Sequence, residues 1–191
     1  MFPCYLKIRN FAAQMDTLGI YRIDLKGMRS EVETHHYAVD DDFFAVVGST
    51  EIHAGNVAVE LTVAKAAGDT FLLTFALQGT VTVTCDRCLD DMVCDIETVR
   101  ELKVAFAEAY ADEGDWVKVP ADDGGLNVAW HIYEFITLEL PLQRVHADGD
   151  CNPAMMEILE HHTAGSAEGN GNSDGATDSR WDELKKIIDN N

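Results

Sequence analysis

The 191 residues carry 34 acidic against 14 basic side chains, a formal charge of −20, with an apolar fraction of 47%. That is enough chain for one sizeable core or two small ones, and the negative field disfavours phosphate backbones and anionic lipid as direct partners. Five cysteines, no cationic leader before an apolar core and no apolar run near bilayer length predict reduced thiols in a cytoplasmic protein, not a disulfide scaffold or a membrane span.

Residues 1–50 read as short strands joined by loops, able to form a β subdomain of their own. They run from Leu6-Lys7-Ile8 through His35-His36 and the acidic run Asp40-Asp41-Asp42 to Phe43-Phe44-Ala45-Val46-Val47. From Val57 the period is two. Val57, Val59, Leu61 and Val63 share one face, Ala67-Gly68-Asp69 makes a turn, and Phe71, Leu73, Phe75 and Leu77 repeat the alternation, which predicts an antiparallel hairpin. Gly79 inside this second run suggests a bulge or bend. Val81 and Val83 then lead into Cys85, and Ile96, Leu102, Val104 and Phe106 resume period two, so Cys85-Asp86-Arg87-Cys88 sits at the mouth of a hairpin or meander.

A polar interval from Glu108 to Gly125 holds one short strand around Trp116-Val117-Lys118-Val119. Asn127 can then cap a helix with Val128, Ile132, Phe135, Ile136 and Glu139 on one stripe and Trp130, Tyr133, Thr137 and Leu140 on another. Pro141 stops it. Two apolar sides imply a helix that is sandwiched or touches a partner. Asn152-Pro153 opens a short helix, residues 163–178 have the composition of a disordered linker, and Trp181, Leu184, Ile187 and Ile188 line a terminal amphipathic helix over 179–191 that docks on its own domain or on another molecule. The predicted fold class is α+β: a mainly antiparallel β-sheet or partial barrel with a few helices in the C-terminal half. Residues 1–162 would form its single domain.

Cys85 and Cys88 admit three readings: half of a metal site, a redox pair, or two buried thiols. A redox C-x-x-C needs its first thiol at a helix N-terminus, whereas β pattern flanks this one on both sides. His146 and Cys151 would complete a tetrahedral zinc set with Cys85 and Cys88, and Cys94 could replace either downstream ligand. Arg87 would favour thiolate if its guanidinium lay close. Cys4 is expected to pack. The adjacent pairs His35-His36 and His161-His162 point in different directions and chelate poorly, and His53 and His131 are expected to make local hydrogen bonds. No phosphate loop, nucleophile elbow or H-E-x-x-H pattern occurs, so no catalytic constellation and no small-molecule substrate is expected.

Three blocks, Val81-Thr82-Val83-Thr84-Cys85-Asp86-Arg87-Cys88-Leu89, Leu138-Glu139-Leu140-Pro141-Leu142 with His146 and Cys151, and Ser179-Arg180-Trp181-Asp182-Glu183-Leu184-Lys185, together resemble the YceD family, from about residue 55 onward. The resemblance implies a small cytoplasmic bacterial protein that supports accumulation or processing of large-subunit (23S) ribosomal RNA, with no enzymatic activity. Its gene would often neighbour that of a small large-subunit ribosomal protein. The family motif falls on Cys85, Arg87, Cys88, Leu89, Pro141, His146, Cys151 and Arg180; a zinc requirement does not follow from membership.

The charge and the resemblance together favour action through a basic ribosomal protein or a pre-ribosomal particle over bare RNA. Arg87, Arg144 and Arg180 are the candidate partner or RNA contacts, with Lys185 and Lys186 beside the last. A zinc-stabilised RNA-binding module is the alternative, and a C-x-x-C thiol redox protein a further one.

Overall fold

A computed structural model describes residues 18–114 and 116–162, and the chain divides into two compact units, 1–152 and 153–191. A 3-10 turn at Gly19–Tyr21 leads into β1 (Arg22–Asp24), β2 (Val32–Val39), α1 (Asp41–Val47), β3 (Ile52–Ala66), β4 (Thr70–Thr84) and β5 (Asp91–Ala107). Then come β6 (Ala111–Asp112), β7 (Trp116–Pro120), β8 (Gly125–Asn127) and α2 (Ala129–Glu139), while α3 (Pro153–His162) belongs to the second unit. The expected linker at 163–178, the expected terminal helix at 179–191 and Cys4 lie outside the described residues.

The main sheet has the order β2-β3-β4-β5-β7-β6 and is antiparallel except where β7 runs parallel to the end of β5; β1 and β8 make a separate antiparallel ribbon. The sheet is not closed, as the expected α+β class of an antiparallel sheet or partial barrel implies. Within residues 18–50, β2 is the outer strand beside β3 and β1 pairs with β8.

Period two decides which side of the sheet is dry. Val57, Val59, Leu61 and Val63 of β3, Phe71, Leu73, Phe75, Leu77, Val81 and Val83 of β4, and Cys94, Ile96, Leu102 and Val104 of β5 are all buried in one cluster. Phe43 and Phe44 of α1 and Ile132 and Ile136 of α2 join it. Burying one such side chain is worth about 1.5–3 kcal/mol, so this layer dominates the fold's stability. The other face, with Glu60, Gln78 and Glu97, meets solvent. At the β3–β4 turn, Gly68 and Asp69 take φ of 68° and 48°, conformations that glycine and aspartate tolerate best.

Residues 41–47 form a helix where a strand was expected. Asp40 Oδ1 accepts the Phe43 amide at 3.1 Å, Asp41 and Asp42 favour the helix N-terminus, and Gly48 closes the other end at φ 77°. Capping overrides the β-branched and aromatic content. Gly79 is no bulge either: pairing runs through it, and a Cβ there would overlap Asn56 and Val57, so glycine permits close approach of β3. The irregularity falls instead between Ile52 and Ala54, where His53 is the extra residue and bonds Thr84 Oγ1 at 2.8 Å.

Helix α2 starts one residue later than the asparagine cap implied. Val128 is the N-cap, while Asn127 Oδ1 accepts the Ala129 amide at 2.9 Å. Its dry face carries Ala129, Ile132 and Ile136, with Tyr133, Phe135 and Leu140 partly packed on the core. Leu140 turns extended at ψ 138°, as the residue before proline must. His131 contradicts its expected local bonding: it is 4% exposed, and neither ring nitrogen has a hydrogen-bond partner among the described residues. Its nearest charge is Asp112, at 3.8 Å.

Candidate metal centre

The β4–β5 connection is a six-residue reversal. The Cys85 amide donates to the Asp90 carbonyl at 2.8 Å, and the Leu89 amide donates to the Cys85 carbonyl at 3.0 Å. Leu89 takes φ 65°, an unusual conformation for a branched residue, and this lets the chain double back directly after Cys88. The turn sends both sulfurs inward: Cys85 is 0% and Cys88 1% exposed, with Asp86 exposed and Arg87 half-buried between them.

The irregular segment after α2 crosses this hairpin tip. The Asp86 amide donates to the Arg144 carbonyl at 2.6 Å and Asp86 Oδ2 accepts the Arg144 amide at 2.9 Å. The Arg144 guanidinium pairs with Glu51 at 3.3 Å and with Asp86 at 3.6 Å. Two residues on, His146 Nδ1 lies 3.4 Å from Cys88 Sγ and 3.9 Å from Cys151 Sγ. Cys151 Sγ lies 4.0 Å from Cys85 Sγ, and all four donor atoms fall within 4.8 Å of one another.

The separations of 3.4, 3.9 and 4.0 Å lie near those around a tetrahedral ion. Zn–S bonds of about 2.3 Å and Zn–N bonds of about 2.0 Å space two sulfurs roughly 3.8 Å apart and a sulfur from a nitrogen roughly 3.6 Å. The four residues can therefore hold a metal ion with no position left open. His146 Nε2 lies 3.2 Å from the Asp91 carbonyl; donating its proton there leaves Nδ1 as the free donor atom. Asn152 Nδ2 donates to Asp90 Oδ2 at 3.0 Å and ties the end of the segment to the same turn.

The electrostatics favour thiolate at Cys85 and Cys88. Burial opposes ionisation of Cys85, but the backbone amides of Cys88, Arg87 and His146 point at its sulfur, and together they bring its pKa down to about 6. The Asn152 amide does most to lower Cys88, against burial and with help from the Asp90 amide. Cys151 is held up by burial, opposed by Arg87, whose Nε donates to its sulfur at 3.1 Å. For His146, burial is outweighed by hydrogen bonds to the Cys88 and Cys85 sulfurs, and its pKa is raised.

Of the arginines expected to meet a partner, Arg87 faces Cys151 and Arg144 faces Glu51 and Asp86, while Arg180 lies outside the described residues. Cys94 is buried in the main hydrophobic cluster and is not one of the four clustered donors. Asp86, Asp90, Asp91 and Asn152 were not anticipated as supports. Asp86 stands between the two cysteines, which is a signal; a backbone carbonyl such as that of Asp91 leaves none.

An antiparallel-sheet domain whose hairpin tip and post-helix segment converge on three sulfurs and an imidazole defines the class of protein, one built around a closed donor set. The family model described as large ribosomal RNA subunit accumulation protein YceD matches residues 73–188, more than half of the chain, and the chain belongs to that family. The family is described by a role in large-subunit ribosomal RNA accumulation, not by an enzymatic reaction. No curated protein and no solved structure matches the chain. Among the described residues no helix is long and apolar enough to cross a membrane.

Proposed function

We propose that the protein is a non-enzymatic ribosome-biogenesis factor that supports accumulation or processing of 23S ribosomal RNA through a basic ribosomal protein or a pre-ribosomal particle. In this reading Cys85, Cys88, His146 and Cys151 hold one structural zinc ion. The observation that carries it is the closed four-donor cluster in a chain of this family, since catalytic zinc keeps a position for substrate or water and this set fills all four. Burial of both C-x-x-C sulfurs, in a turn flanked by β-strands on both sides, favours holding an ion over attacking a disulfide.

Three thiolates on one divalent zinc leave a net negative centre, and Arg87 offsets it through Cys151. Arg144 locks the segment that carries His146. Their remaining N–H groups, together with Arg180, are the proposed contacts to RNA or a partner. The formal charge of −20 directs the main attraction toward a basic protein.

The test is affinity capture of the full chain from cells at moderate salt. Recovery of large-subunit ribosomal proteins or precursor 23S RNA is expected. Capture that returns no large-subunit component would overturn the reading.

A further inference from the structure

β5 is paired with β4 from Asp91 to Ala105, but on its other side β7 reaches only Lys103–Ala107. From Asp95 to Leu102 no second strand lies beside it among the described residues, so alternate backbone N–H and C=O groups over about 20 Å are open to another strand. The side chains that leave this edge on the solvent face are Asp95, Glu97, Val99 and Glu101, with Val99 66% exposed. Beside the edge lies a hollow of about 520 Å³ lined by Val99, Arg100, Glu101, Phe135 and Leu138, and Leu138 is 69% exposed.

We propose that this edge is a docking site for an extended, Lys/Arg-rich segment of a partner protein, which adds to the sheet as a strand antiparallel or parallel to β5. Three features select that occupant. The unpaired backbone recognises an extended chain and no other shape. Three carboxylates on one face of the strand, Asp95, Glu97 and Glu101, form no ion pair among the described residues and call for cations spaced along that face in multiples of two. The hollow against Leu138 and Phe135 takes one apolar side chain between them. The same carboxylates repel a second copy of this chain, whose own charge is −20, and they repel RNA phosphates. The inference deepens the reading above, on which the choice of a ribosomal partner rests; the edge itself rests on the strand pairing.

The probe is a synthetic peptide alternating Lys and Val, with an alternating Glu and Val peptide as control, offered to the full chain. In the free protein the outward amides between 95 and 101 should exchange rapidly with deuterium, and the basic peptide should slow them at least about tenfold. The combined variant Asp95→Lys, Glu97→Lys, Glu101→Lys changes only exposed side chains, so it should fold normally and bind the basic peptide at least about tenfold more weakly. Leu138→Glu should weaken it as well. Slow exchange of those amides in the free protein would show the edge already covered by the chain's own tail or a second copy, and would overturn the proposal. Unchanged binding by the charge-reversed variant, or protection confined to other strands, would do the same. In capture from cells, loss of large-subunit components by the variant alone supports the site. Equal recovery by both proteins removes the site and leaves the family reading standing, and recovery by neither removes both.

Discussion

Asp86 and Arg144, 58 residues apart, hold each other through two backbone-directed hydrogen bonds, one from the Asp86 amide at 2.6 Å and one to the Asp86 carboxylate at 2.9 Å. The same offset of 58 separates Cys88 from His146, so the clasp sets the register in which the imidazole meets the thiol. Asp86→Ala removes the acceptor of the Arg144 amide and leaves all four donors in place. Outer supports of this kind typically change metal affinity by 10–100-fold, and roughly tenfold is expected here because Asp86 is exposed to water. Chelator competition measures it. Asp86→Asn, which keeps an acceptor oxygen, should lie near the parent; equal zinc retention by the alanine variant would show that the clasp does not position His146.

Zinc itself is checked on protein purified without a metal-affinity tag, where elemental analysis should give about one ion per chain. Cys85→Ser and Cys151→Ser should each lower zinc content and melting temperature together. Arg87→Met should leave the stoichiometry intact and speed zinc loss to a chelator, because Arg87 supports Cys151 without being a donor. Full zinc content in both serine variants would dismiss this donor set.

Most of the sheet was legible because period two is a strong signal where one face is dry. The runs Val57 to Val63 and Phe71 to Leu77 are buried at the alternate positions the pattern implies. The C-x-x-C turn was legible for the same reason, since its flanking strands fix it at a hairpin tip. α1 was hidden because the information lay in its ends, Asp40 and Gly48, and not in the apolar residues between them. The partners of Gly79 were hidden because close backbone approach is a property of the neighbouring strand. Supports such as the Asp91 carbonyl have no side-chain signature.

His131 supplies a pH dependence separate from the metal centre. Burial lowers its pKa below the ordinary 6.5, against a weaker upward pull from Asp112 and Glu134, so the folded protein holds it neutral where the unfolded chain takes a proton. Its contribution to stability is constant above about pH 6.5 and is lost as pH falls from there toward the folded pKa, at up to about 1.4 kcal/mol per pH unit. His131→Leu deletes that slope. Melting curves of zinc-loaded parent and variant between pH 7.5 and 5.5 should therefore diverge, the parent falling further. Parallel curves would mean that His131 titrates alike in both states.

Gly79 offers a test of how closely β3 and β4 pack away from the metal. A Cβ at this position would fall 2.6 Å from Val57 Cα and closer still to the Asn56 carbonyl oxygen, and both are backbone atoms that cannot swing aside. Gly79→Ala should cost about 1–3 kcal/mol, the range for overpacking, because the long β3–β4 ladder must shift to admit it. Gly68→Ala is the control: its φ is 68° but nothing lies within 4 Å of the added carbon, so only about 1 kcal/mol of backbone strain is expected. Zinc content should stay near one ion per chain in both, since neither residue touches a donor or its supports. A Gly79→Ala protein as stable as the parent would show that the two strands are not held together as tightly as their pairing implies.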